Sequence, residues 1–554
     1  MRKILLFLAL AAICLPSCQN SVPGTKRNTY QITMEIQEGE TWWPGVIAHA
    51  HRFPLTRSSS YSFDFFGNNA GNQAQPLLIS NQGRYIWNEE PFAFKADEGI
   101  LTCSCDRADF NTGQAGSTLR EAYLHCSKTF FPPSGKIPAE ELFTLAQFNT
   151  WIEFTYMQNQ EGIMEYARQI IEEGFDPGVL MIDEGWFKTY GDWEFHEGRF
   201  PDPHGMMKEL KEMGFRLILW VCPYYTPDGA FWKEQWLDYT HKGDTIWIVN
   251  AENPAFPAVM QWWDGFSNVI DLSNPRGAAW FKKQLDYLVE EYGVDGFKLD
   301  GGDFPHYSAE RFLTESRSYR LDITPNEHSE LFTKIGLDYP FNEYRAAWKM
   351  GGQPIARRLR DKQHNWEDLQ MLVPGSINQG LMGYPFTCPD LIGGGEYLSF
   401  LNLESIDQEL VVRAAQCHAL MPMMQFSVAP WRILSEDKLA ICLKMEKLHV
   451  AMGEKILELA CESAQSGEPM VRSMEYVYPG NGYELVTDQF LLGEDILVAP
   501  VTEKGARSRE IIFPEGNWKG EDGSIVQGPV TMLVDAPLDC LPWYVREQNQ
   551  AGGL

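Results

Sequence analysis

The chain has 554 residues, of which 44% are apolar and 13% aromatic, enough for two or three domains with cores of their own. Its 46 Lys and Arg against 75 Asp and Glu give a net charge of -29, which argues against nucleic acid or an anionic membrane surface as a partner. Eighteen Trp and 22 Tyr suit clefts in which ring faces pack on π faces, although Trp also simply fills large cores.

In chain order, Met1–Lys3 is positive, Ile4–Ile13 is apolar, and Leu15-Pro16-Ser17-Cys18 closes the segment. The apolar run is too short for a spanning helix and reads as a signal peptide. Its end resembles a bacterial lipoprotein box, which implies cleavage before Cys18, acylation of that thiol and a lipid-anchored place in the cell envelope, on the periplasmic side or at the outer membrane. Residues 1–18 are thus signal and anchor, and 19–28 a tether. Of eleven Cys, two lie in the signal; no Cys-x-x-Cys pair or zinc-like His spacing occurs, so no metal is expected. Cys222 and Cys442 sit in apolar runs as buried thiols.

Residues 29–140 alternate at period two, as in Tyr30–Ile36, between turns such as Gly67–Asn72 and Asn81–Gly83. They predict an N-terminal β-sandwich, in which Trp42 and Trp43 reach a ligand or fill the core. Residues 141–462 change grammar. Thr150–Phe154 predicts a short strand, Gly162–Gly174 a helix, Gly178–Asp183 a strand, Pro203–Met213 a helix and Arg216–Pro223 a strand. Trp280–Tyr292 predicts a helix and Val294–Asp300 a buried strand ending in Gly301, Gly302 and Asp303. Strand alternating with helix over about three hundred residues means an α/β fold, a (β/α)8 TIM barrel or a doubly wound sheet. Acids at several strand ends favour the barrel, and no Gly-rich nucleotide motif supports the other. Glu404–Leu420 is helical, Met421–Pro430 carries the last barrel strand, and Ser435–Glu462 closes with helices. Residues 463–554 read as a linker, Ser463–Glu468, and a C-terminal β-domain.

Alone, the Asp300–Asp303 acids read as a solvated turn, and Asp361 among Arg358, Arg360 and Lys362 as a salt-bridge partner. Asp361 has a second reading, a proton donor whose pKa is raised by desolvation near Trp366. Several motifs together change the balance. Lys298-Leu299-Asp300-Gly301-Gly302-Asp303, Asp361 with Trp366, Gly380–Gly394 with Asp390, Asp183 with Trp186, Phe200–Pro203, Trp220–Pro223 and Asp488–Val501 resemble glycoside hydrolase family 31, from about Thr150 to Arg546.

That resemblance implies a retaining, exo-acting α-glycoside hydrolase acting on an α-linked oligosaccharide or glycoside, with no cofactor. Asp300 would be the nucleophile and Asp361 the acid/base. Asp183 would hydrogen-bond sugar hydroxyls, Lys298 and Arg345 would donate to hydroxyls and orient the acids, Trp186 and Trp220 would wall the sugar pocket, and Asp390, in the acidic position of its motif, would bind the substrate. The chain departs from the family pattern at Asp303, where Glu is usual, at Arg360, where Gly is usual, and at Pro389, where His is common. Trp151–Gln160, Ile182–Trp186, Asn342–Arg345 and Asp361–His364 look closest to the compact branch containing the mammalian myogenesis-regulating glycosidase, which implies α-galactosidase activity. An α-glucosidase or α-xylosidase, and a lipid-anchored carbohydrate-binding protein without catalysis, stay open, as does the oligomeric state.

Overall fold

The computed structural model describes residues 29–242 and 245–547; the signal, Cys18 and the tether lie outside the described residues. Two antiparallel sheets come first. One runs Tyr30–Glu35, Ile100–Cys105, Ala93–Asp97, Tyr61–Asp64; the other runs Trp42–Val46, Gln73–Ser80, Arg84–Trp87, Asn111–Gln114. The alternation of Tyr30–Glu35 puts every second residue toward the interior, as period two requires. Trp42 and Trp43 are buried, so they fill the core. Cys103 and Cys105 share the buried face of their strand as free thiols.

The centre is a barrel of eight parallel strands. They are β1 (Gln147–Asn149), β2 (Val179–Ile182), β3 (Arg216–Val221), β4 (Gly296–Leu299), β5 (Phe341–Tyr344), β6 (Ala356–Arg358), β7 (Thr387–Cys388) and β8 (Gln425–Phe426). Neighbours pair in the order β8-β1-β2-β3-β4-β5-β6-β7, and Ile392 N–H, just past β7, donates to Gln425 O of β8 at 2.9 Å, bringing the edges together. The first strand precedes its expected place. Asn149 Oδ1 accepts from Trp151 N–H at 2.8 Å and turns the chain, so Trp151–Phe154 is one turn of helix instead of a strand.

The helix Pro275–Tyr292 shows how sequence sets the approach to β4. Asn274 caps it through Arg276 N–H, Pro275 opens it, and Gly293 closes it with φ 66°. Its inner face buries Phe281, Leu285 and Leu288. Only glycine fits at Gly296, where a β-carbon would lie 1.8 Å from Phe341 O on the adjacent strand.

The last barrel helix starts at Gln408, capped by Asp407; residues 403–405 form a separate 3-10 turn. Helices Glu436–Ala451 and Gly453–Ser466 follow. The second runs through most of the stretch expected as a linker, because Ser463 faces inward and its Oγ donates to Glu468 O. Gly467, with φ 81°, then ends it. A six-stranded sheet completes the chain: Val471–Arg472, Phe490–Leu492, Ile496–Val498, Trp543–Arg546, Ser508–Gly520, Ile525–Asp535. It has its own core of Met474, Leu491, Leu497, Ile511, Phe513 and Trp518.

Candidate active site

A cavity of about 310 Å³ opens at the carboxyl ends of the barrel strands. Asp183 lies just past β2, Trp220 on β3, Lys298 on β4, Asp300 just past β4, Arg345 just past β5, and Arg358 ends β6 with Asp361 in the following loop. Trp151, Tyr156, Glu184, Trp263 and Gly395–Tyr397 complete the lining. Parallel register puts Trp220, Lys298 and Glu343 side by side on β3, β4 and β5, so their side chains share the barrel's interior layer.

Inside, charges are paired. Lys298 Nζ donates to Asp183 Oδ2 at 2.7 Å, both groups being buried. Asp300 is held from several sides: Trp220 Nε1 donates to Oδ2 at 3.2 Å, while Gly301 N–H at 2.9 Å and Arg345 Nη2 at 3.2 Å donate to Oδ1. Burial pushes the Asp300 carboxyl up, but Arg345, Lys298, Arg358 and the Gly301 N–H outweigh it and hold the group well below the usual carboxylate range. Arg345 also clasps Asp303, through Nη1 to Oδ1 at 3.2 Å and Nη2 to Oδ2 at 2.8 Å.

Arg358 is the second hub. Its Nε donates to Glu343 Oε1 at 3.1 Å, and its Nη1 donates to Asp361 Oδ1 at 2.6 Å and to Asp390 Oδ1 at 2.7 Å. Asp361 keeps 45% of its side chain exposed, so it meets the cavity with a free edge. Burial pushes Asp361 up, and Arg358, Arg345 and Lys298 bring it below its ordinary value. Asp390 goes the other way: burial and the nearby Asp361 charge raise it to about 6 despite Arg358 and Lys362.

Three sequence expectations need correction. Trp186 is not a pocket wall; it is fully buried behind Trp220, to whose carbonyl its Nε1 donates at 2.9 Å. Asp390 does not line the cavity but braces it, accepting from Arg358 and from Lys362 N–H at 2.7 Å, with its own backbone at φ 113°. Trp366 does not desolvate Asp361, since its Nε1 donates to Asp407 Oδ2 and the cavity leaves it out. Asp183, Trp220, Lys298, Asp300, Arg345 and Asp361 are brought together.

Sequence reasoning missed a second group. The N-terminal turn enters the barrel end: Asn69 Nδ2 donates to Asp303 Oδ1 at 3.1 Å, and Gln73 Nε2 donates to Arg345 O at 2.5 Å and Arg358 O at 2.8 Å. Gln73 and Ala74 also pair in parallel with Ala347 and Trp348, just past β5. The only signal was the Asn- and Gly-rich stretch Gly67–Asn72, which reads as an ordinary turn. Glu184, Trp263 and Tyr397 were also missed; Trp263 with Asp264 forms the two-residue turn of a hairpin, Val259–Trp262 with Gly265–Val269. Among the described residues, no group of three or more His, Cys, Asp or Glu is placed to hold a metal ion, and no helix is long and apolar enough to cross a membrane.

A parallel eight-stranded barrel with paired, cation-held carboxylates in one cavity at its strand ends defines a TIM-barrel protein whose candidate site lies where that fold places its active sites. Residues 141–436 match the glycosyl hydrolases family 31 TIM-barrel domain, and residues 467–549 the glycosyl hydrolase family 31 C-terminal domain. The chain belongs to glycoside hydrolase family 31. It is 30% identical over 76% of its length to the mouse myogenesis-regulating glycosidase, and 24% identical over 92% of its length to α-glucosidase 2 of Bacillus thermoamyloliquefaciens. It spans 59% and 64% of those two proteins' lengths. In structure it is similar to the family 31 dextranase of Flavobacterium johnsoniae, with a TM-score of 0.81 at 20% identity, covering 94% of this chain and 67% of that one.

Proposed function

We propose that this protein is a retaining, exo-acting α-glycoside hydrolase and that its sugar is α-galactose. The observation that carries the reaction is the pairing of two unlike aspartates in one cavity: Asp300, fixed by three donors and held ionised, and Asp361, half exposed at the cavity. Asp300 attacks the anomeric carbon while Asp361 protonates the departing oxygen; Asp361 then takes a proton from the water that frees the sugar from Asp300. The first step needs a protonated Asp361. Arg358 opposes that in the open cavity, yet it also serves Glu343 and Asp390, so its hold on Asp361 is shared. A sugar ring over the exposed edge of Asp361 removes water and raises its proton affinity. The small volume sits at the low end of the roughly 300–1,000 Å³ usual for ligand sites and suits a chain-end sugar better than a continuous polymer.

The likeness of Ile182–Trp186 and Asn342–Arg345 to the compact family branch supports galactose. Relatives named α-glucosidase and α-xylosidase favour a second reading, with the same two aspartates and a different sugar. Side-by-side hydrolysis of aryl α-galactoside, α-glucoside and α-xyloside by the purified chain tests both. Preference for the galactoside supports the first reading, and preference for another sugar the second. Sugar binding without turnover of any of the three would overturn the hydrolase and leave a carbohydrate-binding protein. We propose in addition that acylated Cys18 anchors the enzyme in the cell envelope. Loss of metabolic fatty-acid labelling in Cys18→Ser is the expected result, and an unlabelled parent chain would overturn it.

A further inference from the structure

Beside the two aspartates, Glu184 lines the cavity, and two more phenolic or acidic groups, Tyr190 and Asp264, meet it there with too few protons among the three. Tyr190 Oη lies 2.5 Å from Glu184 Oε1 and 2.5 Å from Asp264 Oδ2. A phenol has one proton and can donate it once. Both contacts are hydrogen bonds only if one of the carboxyls carries a proton and donates to the phenol oxygen. Two ionised carboxylates so close in a buried site would repel.

The three groups come from different places. Glu184 follows Asp183 at the end of β2, Tyr190 is at the tip of the hairpin formed by Phe187–Thr189 and Asp192–Phe195, and Asp264 is at the tip of the hairpin after β3. The neighbour of Asp264 at that tip is Trp263. It lines the cavity, is 45% exposed, and its ring lies 5.1 Å from the guanidinium of Arg345, the residue that holds Asp300.

We propose that Glu184, Tyr190 and Asp264 are positioning residues that share one excess proton, and that this proton pins the hairpin tip so that Trp263 forms the wall against which the sugar binds. The proposal rests on the cavity being the sugar site. Burial, with Asp264 and Asp183 beside it, pushes the Glu184 carboxyl well above its usual range, against Tyr190. Other titratable or charged groups face the pin: Tyr156, whose phenol burial and the nearby Asp264 and Glu184 charges push up, the buried Cys222, and Asp183, Lys298 and Asp300 within the cavity. Lys298 is already engaged by Asp183. When the excess proton leaves at high pH, the pair repels, the tip releases and Trp263 loses its place over Arg345.

The test uses the full chain in two readouts. In kinetics on the best aryl glycoside, KM is expected to rise at alkaline pH by up to about tenfold per pH unit, on top of the fall in kcat that loss of the Asp361 proton brings. Glu184→Gln and Asp264→Asn, which keep the hydrogen bonds without the ionisation, are expected to flatten that rise; Glu184→Ala is expected to raise KM at every pH. Without substrate, tryptophan emission of the folded chain is expected to shift over the same alkaline range, and the shift is expected to disappear in Trp263→Phe and in Glu184→Gln. An unchanged alkaline rise in KM in both amide variants would overturn the proposal. So would a folded Glu184→Gln enzyme without turnover, because Glu184 would then be needed as an ionised group. If the parent chain cleaves no glycoside, the hydrolase reading fails by itself, and the emission titration still decides the pin: a shift lost in Trp263→Phe and Glu184→Gln supports it, and no shift overturns it.

Discussion

The strand ends of the barrel and the interior of the C-terminal sheet are both buried, yet they are built in opposite ways. Around the cavity, six carboxylates (Asp183, Asp300, Asp303, Glu343, Asp361, Asp390) surround three cations (Lys298, Arg345, Arg358). Acids exceed bases there, and burial with the neighbouring Asp361 charge raises Asp390 to about 6. The C-terminal core is Trp518, Phe513, Leu491, Leu497 and Ile511, with the Trp518 Nε1 satisfied by Pro514 O at 2.8 Å. Dispersion and loss of water hold the second region together without directional demands. The first is held by charge pairs whose desolvation cost roughly cancels their attraction. It contributes little net stability, and its value is geometric: each hub cation fixes the orientation of two or three acids.

The largest effect should come from removing the charge at the centre of that geometry. Asp300→Asn is expected to lower kcat by on the order of 10⁴-fold or more, with unchanged circular dichroism and melting, because the nucleophilic oxygen is lost. A folded variant with near-normal turnover would remove Asp300 from the reaction. Asp361→Asn should cost about 10²–10⁴-fold on poor leaving groups and far less on very good ones, with further recovery in azide. Equal loss across leaving groups would make Asp361 structural.

The next pair sets the two regions against each other directly. Arg358→Met leaves Glu343, Asp361 and Asp390 without their shared partner and is expected to destabilise by about 3–5 kcal/mol. Trp518→Ala removes a fully buried side chain and is expected to cost a similar amount, about 3–5 kcal/mol. Chemical denaturation reads both. The difference lies in rescue: replacing Glu343, Asp361 and Asp390 by neutral amides should recover most of the Arg358→Met loss, because that loss comes from uncompensated charge, whereas no charge change recovers Trp518→Ala. Failure of the amide rescue would mean that Arg358 acts through packing.

The smallest effect sharpens the contrast inside the C-terminal domain. Burial raises the Glu475 carboxyl to about 7, helped by Glu484 and opposed by the Gly480 N–H. The native chain therefore keeps a proton that the unfolded chain gives up near 4.5, and stability falls as pH climbs from about 4.5 to 7. Glu475→Gln removes this dependence and should gain on the order of 1 kcal/mol at pH 8 relative to pH 5. Parallel melting of parent and variant at the two pH values checks it, and identical shifts would show that Glu475 ionises freely.

How much of this was legible depended on whether the signal was local. The helix Pro275–Tyr292 has its cap, its apolar face and its Gly293 stop in its own residues, and the strand after it has its apolar run. The resemblance placed Asp183, Trp220, Lys298, Asp300, Arg345 and Asp361 together because each lies on or just past a strand of the same barrel. Trp186 misled because an aromatic four residues past a strand end can face the cavity or the layer behind it, and Phe187, Trp193 and Phe195 draw it into that layer. Strand β1 was misplaced because three residues carry no period, and one side-chain bond from Asn149 decides where the turn begins.

By itself the sequence determined the alternation of strand and helix, the two β-rich ends, and which carboxylates sit at strand ends. These follow from periodicity, caps and glycines within a few residues of each other. Only the tertiary structure decided that Asn69 and Gln73, more than two hundred residues away, brace the acids, that one guanidinium serves three carboxylates, and that Glu184, Tyr190 and Asp264 meet around one phenol. The reason is physical: burial and Coulomb attraction depend on distance in space, and a buried charge takes its protonation from neighbours that the chain order does not reveal.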